Sequence, residues 1–224
     1  MPAGTMADRS EKHRNLTRED WIRVARLFLV DAGVASVKIE ALAQAIGATR
    51  GSFYWHFADH AALLDALLDQ WEHINTEPFR RAFANAEGSP QEQLLRFALV
   101  WLGEEFDPNF DSAVRDWGRN SPNVAEAVRR VDDERIDMLY SLFCRAGYDE
   151  TESLVRARTL YYHQVGYFAL KISQTREERL KLLPVYFRVL TGFPIPPNTA
   201  EIIRQFPDSN PGDNAACKAR NGGR

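Results

Sequence analysis

The feature that most constrains this sequence is a pair of short helical patterns separated by a glycine. Ile39, Leu42 and Ile46 recur at the spacing of one face of an α-helix, and Gly47 then ends the pattern. Residues 47–57, which read GATRGSFYWHF, follow directly. A helix, a sharp turn and a second helix in this order are typical of a helix-turn-helix. The segment therefore predicts a small helical domain rather than a sheet.

The second helix of this pair has one apolar face and one face of mixed chemistry. At about 100° per residue, Phe53 and Phe57 fall together and can anchor the helix to a core. The rest of its circumference carries Arg50, Gly51, Ser52, Tyr54 and Trp55. Arginine can bind guanine through two hydrogen bonds, and hydroxyls and rings can contact base edges and thymine methyl groups, so we expect this helix to enter a DNA major groove. The alternative is that Tyr54 and Trp55 form an apolar patch that closes the joint with the following helix.

Helix-start signals recur along the rest of the chain. In each, a Ser, Thr or Asp precedes a proline or an acidic residue, and apolar residues at helical spacing follow. These starts lie at Thr17–Asp20, Ser89–Glu92, Ser121–Pro122, Asp149–Glu152 and Thr175–Glu178. No run rich in alternating Val, Ile or Thr indicates a strand. The sequence therefore predicts an all-α fold of about nine helices.

The chain divides into four segments by periodicity and composition. Residues 1–16 lack helical periodicity and are predicted to be a flexible arm, and residues 17–60 form the helix-turn-helix domain. Residues 61–192 carry the remaining helical patterns and form a second helical domain. Residues 193–224 are rich in proline and glycine, so we expect a tail that is docked in part and otherwise disordered.

Composition limits the class of protein. The 224 residues carry a net charge of −3, and the first 60 hold eight Lys and Arg against seven Asp and Glu. Any affinity for DNA must therefore come from the local placement of charge. Cys144 and Cys217 show no pairing pattern, and we expect reduced thiols and a cytoplasmic protein. No segment predicts a membrane span or a secretory signal.

Motifs for catalysis are not found in the sequence. It contains neither a glycine-rich phosphate loop after a strand nor a nucleophile elbow. Acidic pairs such as Asp132-Asp133 are typical of solvated helix faces. We therefore expect that the protein is not an enzyme and uses neither a metal ion nor a cofactor.

The residues from Thr17 to Leu68, and above all the run IEALAQAIGATRGSFYWHFADHAALLDAL, resemble the tetracycline-repressor (TetR) family of bacterial transcription regulators. Beyond Trp71 the resemblance lies only in the number and layout of the helices. It implies an N-terminal DNA-binding domain that the fourth helix joins to a ligand-binding and dimerisation domain. It also implies a homodimer that binds a palindromic operator in double-stranded DNA and is released by a small-molecule effector.

The resemblance assigns roles in DNA binding to individual residues. The residues that would face bases are Arg50, Gly51, Ser52 and Tyr54. Trp55 and His56 would face phosphates, and Thr49 would start the recognition helix, where backbone N–H groups favour a phosphate.

Two positions that would contact phosphates depart from the family pattern. Many relatives have Thr where this chain has Lys38, and often Lys where it has His60. Lysine can still reach a phosphate as a flexible charge. A neutral histidine contributes no charge, so a phosphate contact of His60 would strengthen below about pH 6.5.

Aromatic side chains are frequent in the second domain, where apolar walls and a few polar groups would suit a small-molecule cavity. The predicted ligand-binding residues are Phe97, Trp101, Arg115, Trp117, Tyr140, Phe143, Tyr162, His163 and Tyr167. For each aromatic residue the alternative is a plain core position. Arg115 can equally pair with Asp111 one helical turn away, and His163 can be an interior or interface histidine.

The last two long helices carry broad apolar stripes. The predicted dimer-interface residues are Tyr161, Val165, Gly166, Phe168, Leu183, Tyr186, Phe187 and Leu190. Such stripes from two copies would form a four-helix interface around a two-fold axis. The alternative is that they only complete the core of one chain.

Three functional hypotheses follow. The first is a dimeric, ligand-responsive transcriptional repressor. The second is a ligand-independent DNA-binding structural factor that acts with a protein partner. The third is a small-molecule-binding protein or enzyme in which the helix-turn-helix has lost its role, against which the Arg50 helix with its Tyr-Trp-His run argues.

Overall fold

The computed structural model describes residues 16–85 and 87–206. This part of the chain contains ten α-helices, two short 3-10 turns and no strand, which confirms the all-α prediction. The helices are α1 Arg18–Ala32, α2 Ile39–Ala45, α3 Arg50–Phe53, α4 His60–Ala84, α5 Pro90–Leu99, α6 Pro108–Gly118, α7 Pro122–Arg145, α8 Glu150–Ala169, α9 Arg176–Thr191 and α10 Thr199–Arg204. The 3-10 turns are Val34–Ser36 and Val100–Leu102.

The chain divides into two compact units, and the boundary along the sequence falls between Ala66 and Leu67, within α4. The predicted boundary at residue 60 falls at the start of the same helix. The predicted arm lies outside the described residues except for Leu16, and so does the tail from residue 207 onward, including Cys217. No helix of the described ranges is long and apolar enough to cross a membrane.

The first unit is built on aromatic contacts between its helices. Thr17 and Asp20 form a capping box that starts α1, as the sequence predicts. The Trp21 ring of α1 meets the edge of Phe53, with 5.3 Å between ring centroids, and Phe53 stacks on Phe57 at the same distance. Phe53 and Phe57 are both buried. They are therefore the predicted anchors of the second helix of the motif.

The core of the second unit gathers apolar side chains from α4, α5, α7, α8, α9 and α10. Phe79 of α4 lies at its centre, with its ring centroid 4.7 Å from that of Trp101 and 5.0 Å from that of Phe97. Capping boxes start α5 at Ser89 and α9 at Thr175. These caps satisfy backbone N–H groups that would otherwise lack partners at the helix ends.

One additional helix, α10, lies in the predicted tail. Ile202 of this helix is buried against the core. The guanidinium of Arg176 donates a hydrogen bond of 2.6 Å to the Phe206 carbonyl, and the Asn198 amide donates to Glu92. The tail is therefore docked at least as far as Phe206.

A buried carboxylate joins three helices of the second unit. Asp111 of α6 accepts hydrogen bonds from the Trp71 indole (3.1 Å) and from Nε of Arg115 (2.7 Å). Its Oδ1 also lies 3.5 Å from Nη1 of Arg135, a side chain with 1% exposure. Burial raises the pKa of Asp111, but the charges of Arg115 and Arg135 outweigh it, so the net pKa lies below its usual value.

The network around this carboxylate extends to α8. Arg115 donates two hydrogen bonds to Asp132, of 3.0 and 2.6 Å, and the Tyr161 hydroxyl donates to the same carboxylate at 2.6 Å. Arg135 donates to the Asn75 carbonyl and the Thr76 hydroxyl of α4. Each of the two guanidinium charges thus has a carboxylate within ion-pair distance, as surroundings of low polarity require.

Replacing the central carboxylate tests this network. Asp111→Asn should lower the free energy of unfolding at pH 7 by about 3–5 kcal/mol, because it leaves two buried cations with one anion. Because the folded pKa of Asp111 is depressed, its contribution is present above the unfolded value near 3.8 and is lost as the pH falls below it. Urea unfolding of wild type and variant at pH 7 and pH 3.5 should show the difference shrinking in acid.

Asp116→Asn is the matched control on the same helix. Asp116 pairs with Arg119 at the surface, where both side chains are more than 70% exposed, and its loss should change stability by less than about 1 kcal/mol. Equal effects of the two substitutions would show that the buried network contributes no more to stability than an exposed ion pair does.

Candidate functional sites

A short capped helix presents the candidate DNA-binding residues. The Thr49 hydroxyl accepts a hydrogen bond of 3.1 Å from the Ser52 backbone and so caps α3. The helix itself covers only Arg50–Phe53, and turn residues continue it to His56. It is shorter than the pattern predicts because Asp59, three residues after His56, already caps α4 through the Ala62 backbone at 2.8 Å.

The outer side of this segment is open to solvent. Trp55 is 88% exposed and Tyr54 is 47% exposed, and Arg50 and Gly51 are exposed as well. A ring with that exposure packs on almost nothing, so Trp55 does not close a joint with the next helix. Exposed rings beside a guanidinium offer apolar faces and hydrogen-bond donors to a binding partner.

Arg50 is held in place by two neighbours. Its Nη1 lies 3.1 Å from the Glu40 carboxylate of α2, and its Nη2 donates to the Tyr54 hydroxyl at 3.3 Å. The carboxylate and guanidinium are both more than 60% exposed, so water and salt screen their attraction and the pair is weak. A bidentate contact with guanine is worth roughly 1–3 kcal/mol, so Arg50 can leave Glu40 for a base. Sequence reasoning missed Glu40, because only the turn between the two helices brings it to Arg50.

His60 has a structural partner inside the first unit. Its Nε2 lies 2.6 Å from the Val37 carbonyl, an acceptor, so this nitrogen carries the hydrogen. The bond ties the first residue of α4 to the residue that precedes Lys38. Only Nδ1 is then left for the phosphate contact that the sequence led us to expect, whereas Lys38 is exposed at the N-cap of α2.

The predicted ligand-binding residues do not share one site. Four of them, Phe97, Trp101, Trp117 and Phe143, are buried in the interior of the second unit. Arg115 pairs with Asp111, which was the alternative to a role in ligand binding. Tyr162 is 57% exposed on α8, and Tyr140 is half-buried. His163 and Tyr167 line a cavity of the second unit.

This cavity lies among α8, α9 and the turn after α5. It measures about 40 Å³ and is lined by Leu102, His163, Gln164, Tyr167, Gln174, Arg179, Leu183 and Tyr186. A wider surface groove of about 730 Å³ runs along α7, but it is open to solvent and lined mostly by charged side chains of both signs. Within the described ranges, no cluster of three His, Cys, Asp or Glu side chains could hold a metal ion.

The predicted dimer-interface residues differ in their exposure within the single chain. Tyr161, Leu183 and Phe187 are at most 8% exposed, because they complete the core of their own unit. Val165, Phe168 and Leu190 pack partly against that core, and a Cβ added at Gly166 would meet no atom within 4 Å. The apolar side chains that are exposed on α8 and α9 are Val155, Tyr162, Leu182, Val185, Tyr186 and Val189, here called the apolar face.

Residues 22–67 match the sequence profile of "Bacterial regulatory proteins, tetR family". This range contains Glu40 and all the predicted DNA-binding residues, from Lys38 to His60. The chain belongs to the tetR family.

Individual relatives agree with this tetR-family assignment. The chain is 40% identical over 152 residues to the tetracycline repressor protein class C of Escherichia coli, an alignment of 67% of this chain and 64% of the relative. It is 32% identical over 99 residues to the transcriptional regulator TtgR of Pseudomonas putida, which covers 44% of this chain and 47% of TtgR. The chain thus spans between about half and two thirds of these relatives' length.

Solved structures share the fold of this tetR-family chain. A regulator of the TetR/AcrR family from Thermobifida fusca has a TM-score of 0.58 and 18% identity, covering 79% of this chain and 97% of that one. Escherichia coli NemR in its reduced form has a TM-score of 0.60 and 17% identity, and the match covers 74% of this chain and 93% of NemR. The likeness therefore extends through the second unit, where the sequence alone matched only in layout.

The tie between His60 and Val37 can be tested by substitution. His60→Leu should lower the free energy of unfolding by about 1 kcal/mol, because the Val37 carbonyl loses its side-chain donor. His73→Leu is the control, since His73 is exposed on the same helix, and it should change stability by less than about 0.5 kcal/mol. If urea unfolding gives the same small change for both, His60 has no structural role.

Proposed function

We propose that this protein is a homodimeric transcriptional regulator, most simply a repressor, that binds a palindromic DNA operator and is released by a small molecule. The observation that carries the proposal is the exposed Arg50–Trp55 surface on a capped helix within the tetR-family match. The relative from Escherichia coli is named a repressor, which supports repression rather than activation.

The proposed DNA contacts combine reading of bases with binding of the backbone. Arg50 is the main base-reading residue, because its guanidinium can leave an exposed ion pair for guanine. The other proposed contacts are Lys38, Thr49, Gly51, Ser52, Tyr54, Trp55, His56 and, through the Nδ1–H of its protonated ring, His60. The chain carries a net charge of −3, so binding depends on these few groups rather than on bulk attraction.

The apolar face supports dimerisation. Leu182, Val185, Tyr186 and Val189 lie at intervals of three and four residues and so form one stripe along α9. Isolated exposed apolar residues are ordinary, but a contiguous stripe marks an interaction surface. A second copy would pair its own α8 and α9 with this stripe and form a four-helix interface. Two recognition helices held by one dimer can then enter successive major grooves about one helical turn apart.

Release by a ligand is proposed to act through helix α4. Helix α4 belongs to both units, so a ligand that binds the second unit could alter the spacing of the recognition helices through it. The effect cannot exceed the difference in the ligand's affinity for the two states. The small cavity supports the alternative of a ligand-independent DNA-binding factor, because about 40 Å³ is far below the roughly 300 Å³ of an ordinary ligand site.

Arg50→Ala tests the reading of bases. On a DNA fragment from upstream of the protein's own gene that the wild type shifts, the variant should lose roughly 1–3 kcal/mol of binding energy, and less on random DNA of equal length. Affinities are measured by electrophoretic shift at one salt concentration. Arg119→Ala, an exposed arginine of the second unit, is the control and should bind as wild type does. An equal loss on both DNAs would mean that Arg50 only binds phosphate.

Val189→Glu tests the dimer surface. Val189 is 67% exposed in the single chain, so a charge there should leave the fold intact but separate the dimer into monomers, because the interface would bury that charge unpaired. Sedimentation velocity gives the mass, and circular dichroism checks the helix content. Leu27→Glu places the same charge at an exposed leucine of α1 and should stay dimeric. A dimeric Val189→Glu variant would move the interface elsewhere.

A further inference from the structure

The small cavity of the second unit has an unusual set of polar groups in its wall. Helix α8 contributes His163, Gln164 and Tyr167, and α9 contributes Arg179 together with Leu183. The Tyr167 hydroxyl donates to the Gln174 amide oxygen at 3.2 Å, which fixes one edge of the wall. An apolar void would need none of these groups, so their convergence points to a binding role.

Arg179 is a partly buried cation without an anion. It donates one hydrogen bond of 3.1 Å, to the Trp101 carbonyl, and its guanidinium carbon lies 4.6 Å from the Tyr167 ring centroid and 5.5 Å from that of Phe168. No carboxylate of the described residues forms an ion pair with it, unlike Arg115 and Arg135. Burial accordingly lowers the pKa of Arg179, with the tyrosine opposing the shift only in part.

The neighbouring groups of the wall are neutral and incompletely bonded. The Nδ1 atom of His163 and the Oε1 atom of Gln164 are buried and lack hydrogen-bond partners among the described residues. Burial, and then the charge of Arg179, lower the pKa of His163, which keeps the ring neutral near pH 7. A neutral imidazole can offer Nδ1–H, and the amide of Gln164 can present its NH2 end by rotation. Donors to an anion are therefore available beside Arg179.

We propose that this cavity binds the carboxylate of a small organic acid, with Arg179 as its principal partner. The inference rests on the proposed ligand-responsive function and names the class of effector. A cation would be repelled by Arg179, and a neutral group would leave that charge uncompensated in a site of low polarity. A carboxylate would accept a charge-assisted hydrogen bond from the guanidinium and a further one from His163 or Gln164.

The size of the cavity adds a second feature. A volume of about 40 Å³ is little more than the roughly 30 Å³ share of one water molecule in the liquid, so it holds the charged end of a ligand but not an organic body. Tyr186 belongs both to the cavity wall and to the apolar face, and it is 44% exposed. A larger acid that displaces this ring would also alter part of the surface proposed for dimerisation.

Two acids and their uncharged amides test the proposal on the full-length wild-type protein. Acetate is little more than a carboxylate group, and benzoate adds a ring that the cavity of about 40 Å³ cannot hold unless a wall residue such as Tyr186 moves. The imidazole signals of protein labelled with ¹⁵N-histidine are followed by NMR during titration with each acid and with acetamide and benzamide at constant ionic strength, and His163→Gln assigns the signal. At least one acid should shift the His163 signal saturably and bind roughly tenfold or more tightly than its amide.

Variants of α9 identify the partner. Arg179→Gln should weaken binding of that acid by roughly tenfold or more, and Arg179→Lys, which keeps the charge, should weaken it less. Arg188→Gln removes an exposed arginine of the same helix and should bind as wild type does. Acids and amides that bind equally, an Arg179→Gln variant with unchanged affinity, or an absence of saturable shifts with all four compounds would each overturn the proposal.

Release of DNA is measured separately, with the electrophoretic shift. If an acid shifts the His163 signal but leaves the DNA complex intact, the result supports the proposed carboxylate site and contradicts release by the ligand. Failure of the site with intact DNA binding would leave the DNA-binding function standing.

Discussion

The second unit depends on one buried carboxylate that is shared by two cations. Asp111 faces Arg115 and Arg135 and also accepts the indole hydrogen of Trp71. Through these bonds and those of Arg115 to Asp132, helices α4, α6 and α7 share a single polar centre. Either cation alone in that interior would be costly, and so would the anion, so the helices must keep one arrangement for all three charges to be compensated. The core around them can therefore place its aromatic rings in a defined geometry.

Arg179 differs from Arg115 and Arg135 because it has no anionic partner in the part of the chain that the structure describes, and this difference indicates a binding function. The same unit gives Arg115 and Arg135 carboxylate partners, yet it leaves the partly buried guanidinium of Arg179 with rings and one carbonyl as neighbours. The first unit shows a similar contrast, since it buries Phe53 and Phe57 and leaves Trp55 almost fully exposed. We assign DNA to the exposed Trp55 surface and an acid to Arg179.

The sequence predicted what depends on local pattern. Capping at Thr17, Ser89 and Thr175 and the anchoring role of Phe53 follow from spacing along one helix, and the structure confirms them. The aromatic residues of the second unit were harder, because a core position and a cavity wall produce the same periodicity. The bond between His60 and Val37 joins residues 23 positions apart, and the missing anion of Arg179 is a property of packing. Neither leaves a signal that can be read along the chain.

The central claim is that two copies of this chain read DNA symmetrically, and hydroxyl-radical footprinting of the wild type tests it most directly. The DNA is a duplex enriched by the protein from a random pool. The account predicts two protected patches on one face of the duplex, about one helical turn apart and related by two-fold symmetry over an inverted repeat. A single asymmetric patch, or protection that does not depend on sequence, would contradict it.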